Sequence, residues 1–275
     1  MDGENPPQQY SAMVAEAPLD RGRLRAELSG LGLRAGMTVL VHSSMRRVGW
    51  VEGGATTLRD VLLDIVGDEG TLVVPAQTRS KSVTSQEFRD AVAGLDEKEY
   101  ELYLTRLPGF DAKTSPSEGM GALAEAVRTH PEACRSPHPT TSFAAVGVHA
   151  AEVCATHPLD CLLGSQSPLG LLAKLDARVL LLGVGFDKCT AFHLGEDRGL
   201  PEERPYRCKI GDEWREFRAL SHRDGDFSEL GARFVRTHST RVRDGWVGAA
   251  RARLFPLALA ADFAELELPA LRFVR

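Results

Sequence analysis

The stretch LDARVLLLGVGFDKCTAFHLGED, residues 175–197, carries the side chains whose types and spacing best suit chemistry. Glu196 follows His193 by three residues, so on a helix the two share a face. A histidine beside a carboxylate is the working pair of a general base, because the carboxylate fixes the ring tautomer and favours the imidazolium. The plain alternative is a histidine that caps or packs at a helix start, and spacing alone does not separate the two. Cys189 lies one turn from His193, but nothing near it in sequence would depress a thiol pKa, so it reads as a small structural residue.

A second group is His42-Ser43-Ser44, followed by Arg46, Arg47 and then Gly53-Gly54. Amides at a helix start attract phosphate, and two glycines there let a pyrophosphate approach the backbone. The pattern matches neither a Walker loop nor Gly-x-Gly-x-x-Gly, so a tight strand-to-helix turn accounts for it equally well. His138, held between Pro137 and Pro139, fits a rigid turn or a ligand contact. His157, Asp160, Ser165 and Ser167 lie in a loop bearing glycine and proline, where Ser167 also has the position of a helix cap. The histidines lack metal-ligand spacing, so no metal is expected. The absence of a Gly-x-Ser-x-Gly elbow counts against a hydrolase serine.

These residues need elements to position them. Residues 178–182 are a short apolar run before Gly183, as a strand buried on both faces reads, and residues 190–198 read as a helix. His193 then sits just past the carboxyl end of a central strand, where open α/β sheets bind ligands. Upstream, Asp20 caps a helix carrying Leu24, Leu28 and Leu31, with Gly30 and Gly32 to stop it. Residues 37–41 form a strand, 55–66 a helix with Leu58, Val61, Leu62 and Ile65 on one face, and 71–75 another strand. That order makes a right-handed βαβ unit and a parallel pair. Residues 79–110 read as an insertion with helix near 96–104, and a helix is expected from Ser117 to about Arg128. Residues 142–146 are a buried segment, 150–157 and 168–175 are helices, and 206–217 form a hairpin about Gly211-Asp212. Residues 227–236 are a helix, and the last thirty-odd residues are expected to be mainly helical. The fold class is therefore α/β, a single domain over residues 19–275 with a largely parallel central sheet, flanking helices and an added hairpin. Residues 1–18 read as a flexible arm.

The 275 residues are 43% hydrophobic and 26% charged, ordinary for a globular protein. A net charge of -5 without a basic block argues against nucleic acid as a partner. Five cysteines without a Cys-x-x-Cys pair fit a reducing compartment, and neither a leader nor a membrane-length apolar run is evident. The expected location is the cytoplasm. Nothing in the sequence indicates an oligomeric state.

Taken in order, the segments VHSSMRRVGWVEGG, GDEGTLVVPAQT, FDAKTSPSEGMGALAEAVRTHPEACRSPHPTTSFAAVG, HPLDCLLGSQSPLGLLAKLDARVLLLGVGFDKCTAFHLGED and VGAARARLF resemble the aminoglycoside 3-N-acetyltransferases. The resemblance runs from about Leu24 to Phe263. It implies acetyl-CoA as co-substrate and a cationic aminoglycoside amine as acceptor, with His193 as general base. Glu196 would be its partner and Ser44 a donor to the oxyanion. The loop bearing His42, Ser43, Ser44, Arg46, Val48, Gly49 and Trp50, the Gly53-Gly54 helix start, and Ser142-Phe143 would cradle coenzyme A. Two departures stand out. Members usually read His-x-Ala-Glu, whereas this chain has Gly195 before Glu196, a looser helix residue. Ala219 and Ser221 fall where members carry two carboxylates that orient the histidine and bind substrate ammonium groups. Asp224, Asp226 or His222 could take over only if the loop shifts, and Asp187 is a further candidate acid for the acceptor. An acyltransferase acting on a different amine in natural-product biosynthesis, or a catalytically weak relative that binds coenzyme A or the drug, remain alternatives.

Overall fold

The protein is described by a computed structural model covering residues 18–200 and 202–273. The expected arm lies, but for its last residue, outside the described residues. The chain opens with α1 (Arg21–Leu31), β1 (Thr38–Ser43), α2 (Met45–Val48), α3 (Gly54–Val66) and β2 (Thr71–Pro75). An insertion follows with α4 (Gln86–Val92) and α5 (Glu97–Arg106), then α6 (Ala122–Arg128), β3 (Cys134–Arg135) and β4 (Phe143–Gly147). Next come α7 (Ala150–Ala155), α8 (Pro168–Lys174), β5 (Arg178–Leu182), α9 (Ala191–Gly199), β6 (Glu203–Ile210) and β7 (Glu213–Leu220). The chain ends with α10 (Phe227–Thr237), β8 (Arg243–Val247), β9 (Ala250–Pro256) and α11 (Leu257–Phe273).

Among the described residues, seven strands form one sheet in the order β3-β4-β2-β1-β5-β9-β8, and β6-β7 stand apart as a hairpin. The α/β class holds, and its parallel part is the central trio: β1 pairs in parallel with β2 and with β5. The strands outside the trio run antiparallel. Side chains alternate across the sheet. Leu40, Val73, Val179 and Leu181 face one core, which also holds Phe192, Phe227 and Phe234. Val39, Val41, Leu72 and Leu180 face the other, with Leu24, Leu58 and Leu62. Helices thus cover both faces, and the central strands must be apolar throughout.

Local signals explain most element ends. The Asp20 side chain accepts the Arg23 N–H and Gly32 closes α1 at φ 118°. Ser167 caps α8, whose first residue is Pro168. Two expectations fail. The helix expected from Ser117 starts only at Ala122, because Gly119 and Gly121 take φ of 71° and 87° and break it. Ser117 instead bonds the Glu125 carboxylate through its N–H and hydroxyl, at 2.9 and 2.7 Å. The chain end is also less helical than expected, since residues 243–256 form the β8–β9 hairpin. Ala and Arg favour helices in isolation, but ARARL alternates, burying Ala250, Ala252 and Leu254. Arg251 and Arg253 project the other way onto Asp244.

The insertion and the β6–β7 hairpin form one lobe beside the sheet. Val83 N–H donates to Arg207 O and Phe110 N–H to Lys209 O. The buried Lys209 ammonium closes α5 by donating to Leu104 O and Thr105 O, at 2.9 and 3.2 Å. Among the described residues no helix is long and apolar enough to cross a membrane.

Candidate functional site

The lobe and the carboxyl ends of β1, β2 and β5 enclose a cleft of about 920 Å3. Its lining includes His42 and Ser43 from β1, Ser44 just after it, Gln77 after β2, His193 from α9, and Arg204 and Tyr206 from the hairpin. This is the strand end at which ligands settle in open sheets.

At its base, His193 Nδ1 meets Glu196 Oε2 at 2.6 Å, across one helical turn. Glu196 is 1% exposed, and its second oxygen accepts the Arg223 N–H at 2.9 Å and the Arg272 guanidinium at 2.5 Å. Burial pushes this carboxyl up, but the hydrogen bonds from His193 and Arg272 and the nearby imidazoles outweigh it and hold the group at about 2. Glu196 is therefore an anion, and His193 carries its ring proton on Nδ1. The remaining ring nitrogen, Nε2, is then a lone-pair acceptor on a residue that lines the cleft. Burial keeps the His193 pKa below its usual 6.5, against the raising influence of Glu196. A neutral imidazole with a fixed tautomer is ready to take a proton.

Gly195, the loose position in the pattern, has a packing reason. A Cβ there would lie 2.1 Å from Ala261 O, 2.6 Å from Glu265 N and 2.7 Å from Ala264 Cβ. The α9 helix can approach α11 closely only without that carbon, and this approach brings Arg272 within reach of Glu196.

Around the pair, His42 Nε2 and Thr190 Oγ1 are 3.2 Å apart, joining β1 to the start of α9. Burial, and then the charge of His193, lower the His42 pKa to about 3, so it is neutral. Ser44 starts α2 without making a side-chain capping bond, which leaves its hydroxyl for the cleft. Arg46 and Asp187 also line the cleft, Asp187 with Lys188 3.3 Å away. Cys189 is buried and burial raises its thiol to about 12, which fits the structural reading.

Other expected contacts lie elsewhere. Ser142 and Phe143 do not line the cleft. Both are fully buried, with the Ser142 hydroxyl spent on Ala76 O at 2.8 Å. Thr140 and Thr141 form the wall instead. Their amides donate to His138 Nδ1 at 3.2 and 3.1 Å, so His138 is the rigid turn and not a ligand contact. The His157 ring lies 4.5 Å from it, tilted by 35°, and bonds Ser136 Oγ. Val48 is buried in the core, while Trp50 is 74% exposed outside the cleft. Gly49, Gly53 and Gly54 all have positive φ and lie outside its lining, so they shape the loop into α3.

One of the two positions where acids were expected has a packing reason for its residue. Ala219 is 2% exposed in the core, where an acid would be cut off from water. Asp226 is clamped by Arg272 at 2.5 and 3.0 Å, away from the cleft. Asp224 lines the cleft, and its charge favours protonated His193. Arg223 and Arg272 were not legible as partners, because they reach the pair from a loop and a helix far along the chain, whereas His222, named as a substitute, does pack on His193. Among the described residues no group of three His, Cys, Asp or Glu is placed to hold a metal ion.

Comparison with known proteins points the same way. The chain is 39% identical over 255 residues to the SPbeta prophage-derived aminoglycoside N(3')-acetyltransferase-like protein YokD of Bacillus subtilis, covering 90% of this chain and 92% of that one. The crystal structure of YokD matches with a TM-score of 0.82 at 38% identity, over 90% of this chain and 98% of that chain. Aminoglycoside N(3)-acetyltransferase IX of Micromonospora chalcea is 33% identical over 271 residues, covering 90% of this chain and 92% of that protein. The structure of AAC-IIIb binary with CoASH matches with a TM-score of 0.80 at 27% identity, over 93% of this chain and 98% of that one. Residues 40–268 fit the family model for aminoglycoside 3-N-acetyltransferase, and the chain belongs to that family.

Proposed function

We propose that this protein transfers an acetyl group from acetyl-CoA to an amino group of an aminoglycoside, with His193 as general base. The observation that carries the reading is the buried Glu196 carboxylate bonded to His193 Nδ1, on a helix at the cleft floor. An aminoglycoside amine is largely an ammonium at neutral pH, so it first releases one proton to solvent, and a second proton leaves nitrogen during transfer. In transfer the nitrogen bonds to the thioester carbonyl carbon, and His193 Nε2 takes the proton lost from nitrogen. The carbonyl oxygen becomes an oxyanion, for which the Ser44 hydroxyl and nearby backbone amides are the donors. As the tetrahedral carbon collapses, the carbon–sulfur bond breaks and the coenzyme A thiolate accepts a proton from the imidazolium. Glu196 holds the ring in one tautomer and steadies its transient charge.

Of the residues expected to hold coenzyme A, His42, Ser43, Ser44 and Arg46 line the cleft and keep that role in our reading. Arg46 is a cation for its phosphates. Trp50, Gly53 and Gly54 could meet only a portion extending beyond the cleft. Asp224 and Asp187 are the acids offered to the acceptor's ammonium groups. The test is His193→Ala, which should lower acetyl transfer by about a hundred- to ten-thousand-fold while leaving coenzyme A binding nearly unchanged. A folded variant within threefold of wild-type activity would refute the base.

A further inference from the structure

Beside the base lies a second imidazole that the scheme above does not use. The His222 side chain is 8% exposed and lines the cleft, with its ring edge-to-face on His193 at 5.0 Å between centroids. Both of its ring nitrogens are shielded from solvent, and neither makes a hydrogen bond to the described residues. Asp197 lies 3.5 Å from Nε2 as a charge neighbour only. Every other imidazole around the cleft is held by the chain: His42 by Thr190, His138 by Thr141, His157 by Ser136 and His193 by Glu196. A buried polar group without a hydrogen bond is rare in a folded protein, and where one faces a cleft a ligand commonly completes it.

We propose that His222 is a direct contact to the acceptor, hydrogen-bonding a hydroxyl or ether oxygen beside the nitrogen that is acetylated. This rests on the acetyltransferase reading. Its position against His193 fixes the part of the substrate concerned, since a group reaching His222 lies one ring away from the base. Its chemistry fixes the preference. An imidazole can donate to an oxygen, whereas a carboxylate there would pair with a second ammonium group. Among the acids lining this side, Asp187 is engaged with Lys188, while Asp224 makes no ion pair with the described residues. Arg204, another lining residue, adds positive charge. The acceptor on this reading is an amino sugar that presents oxygen on the His222 side of its reacting amine, while its other ammonium groups fall to Asp224.

The experiment is steady-state kinetics of wild type, His222→Phe, His222→Asn and His222→Asp with aminoglycosides carrying two to six amino groups. His222→Phe should raise the acceptor KM at least tenfold and leave the acetyl-CoA KM within twofold. His222→Asn, which keeps a donor, should recover part of that loss. His222→Asp should improve kcat/KM for the amine-rich acceptors over the amine-poor ones by at least fivefold. In wild type labelled with 15N-histidine, the His222 ring resonances should move as acceptor is titrated onto the coenzyme A complex. A folded His222→Phe with acceptor KM within twofold of wild type overturns the contact, and so does a ring that stays still at saturating acceptor. If wild type acetylates none of the panel, the transferase reading and this contact fall together. Turnover that is indifferent to His222 removes the contact alone.

Discussion

Replacing Glu196 with glutamine changes one charge and almost no volume, and the geometry dictates which way the new amide must face. The inner oxygen now accepts from the Arg223 N–H and the Arg272 guanidinium. An NH2 group cannot meet two donors, so the glutamine keeps its oxygen there and turns its nitrogen toward His193. That nitrogen donates to Nδ1, which moves the ring proton to Nε2, and the face toward the acceptor loses its lone pair. A carboxylate-to-amide change that fixes the wrong tautomer costs about 10⁴ in the serine-protease triad. With general-base contributions of about 10² to 10⁴, a loss of 10³ to 10⁴ in kcat/KM is expected, or about 4 to 5.5 kcal/mol in the barrier. Stability should fall less. Holding a carboxyl of ordinary pKa 4.5 at about 2 corresponds to about 3 kcal/mol. Because the folded value is the lower one, that contribution is present above pH 4.5 and fades as pH falls toward 2. Arg272 keeps Asp226, so the helix end stays anchored. The assay is thiol release from acetyl-CoA with the best acceptor, with thermal melting as a control for folding. A folded variant within tenfold of wild type would show that the tautomer is not set by Glu196.

Burial holds His42 at about 3 and His157 at about 4, and keeps His138 well below its ordinary 6.5. Unfolded chains take up protons below 6.5 that the native state refuses, so stability falls with pH from 6.5 downward, by roughly 2 kcal/mol at pH 5 for each of His42 and His157, and in the same direction for His138. The urea midpoint at pH 5 should be well below that at pH 7, and equal midpoints would contradict buried neutral histidines. Gly195→Ala forces a Cβ to within 2.1 Å of Ala261 O, so the melting temperature should drop by at least about 5 °C and activity with it. A stable Gly195→Ala would mean that α9 and α11 can separate freely. Ala219→Asp should unfold the protein or lower its melting point without speeding transfer, because the site is core. A faster, stable variant would mean that this position can reach water.

The pair at the centre was legible because one helical turn connects it: His193 and Glu196 are neighbours by spacing alone. The caps at Asp20 and Ser167 and the Gly211-Asp212 hairpin were legible for the same reason, since each is decided within a few residues. What escaped was non-local. Arg272 reaches Glu196 across a sequence separation of 76, and no local pattern announces it. Gly195 read as a weakness because its reason lies on another helix. The resemblance assigns Ser142 and Phe143 to the cleft, but at the entry to β4 both are buried in the interior, just past the threonines that form the wall. The β8–β9 strands were missed because alanine and arginine carry strong helical preference, which pairing with β5 overrides.

The order of strands has a kinetic consequence. β1 meets β2 after a short crossover but meets β5 only after a stretch of chain roughly four times longer, and the link between His42 and Thr190 spans a separation of 148. Closing the longer loop costs about 1 kcal/mol more in chain entropy, and such non-local pairings slow folding. The helices and the β1–β2 unit can assemble from contacts near in sequence, while the cleft exists only once the β1–β5 seam has closed. During refolding, helical signal should therefore return first and acetyl transfer last. Until the seam closes, the molecule is a partly folded chain with exposed strand edges, the form in which a protein of this topology is most exposed to aggregation.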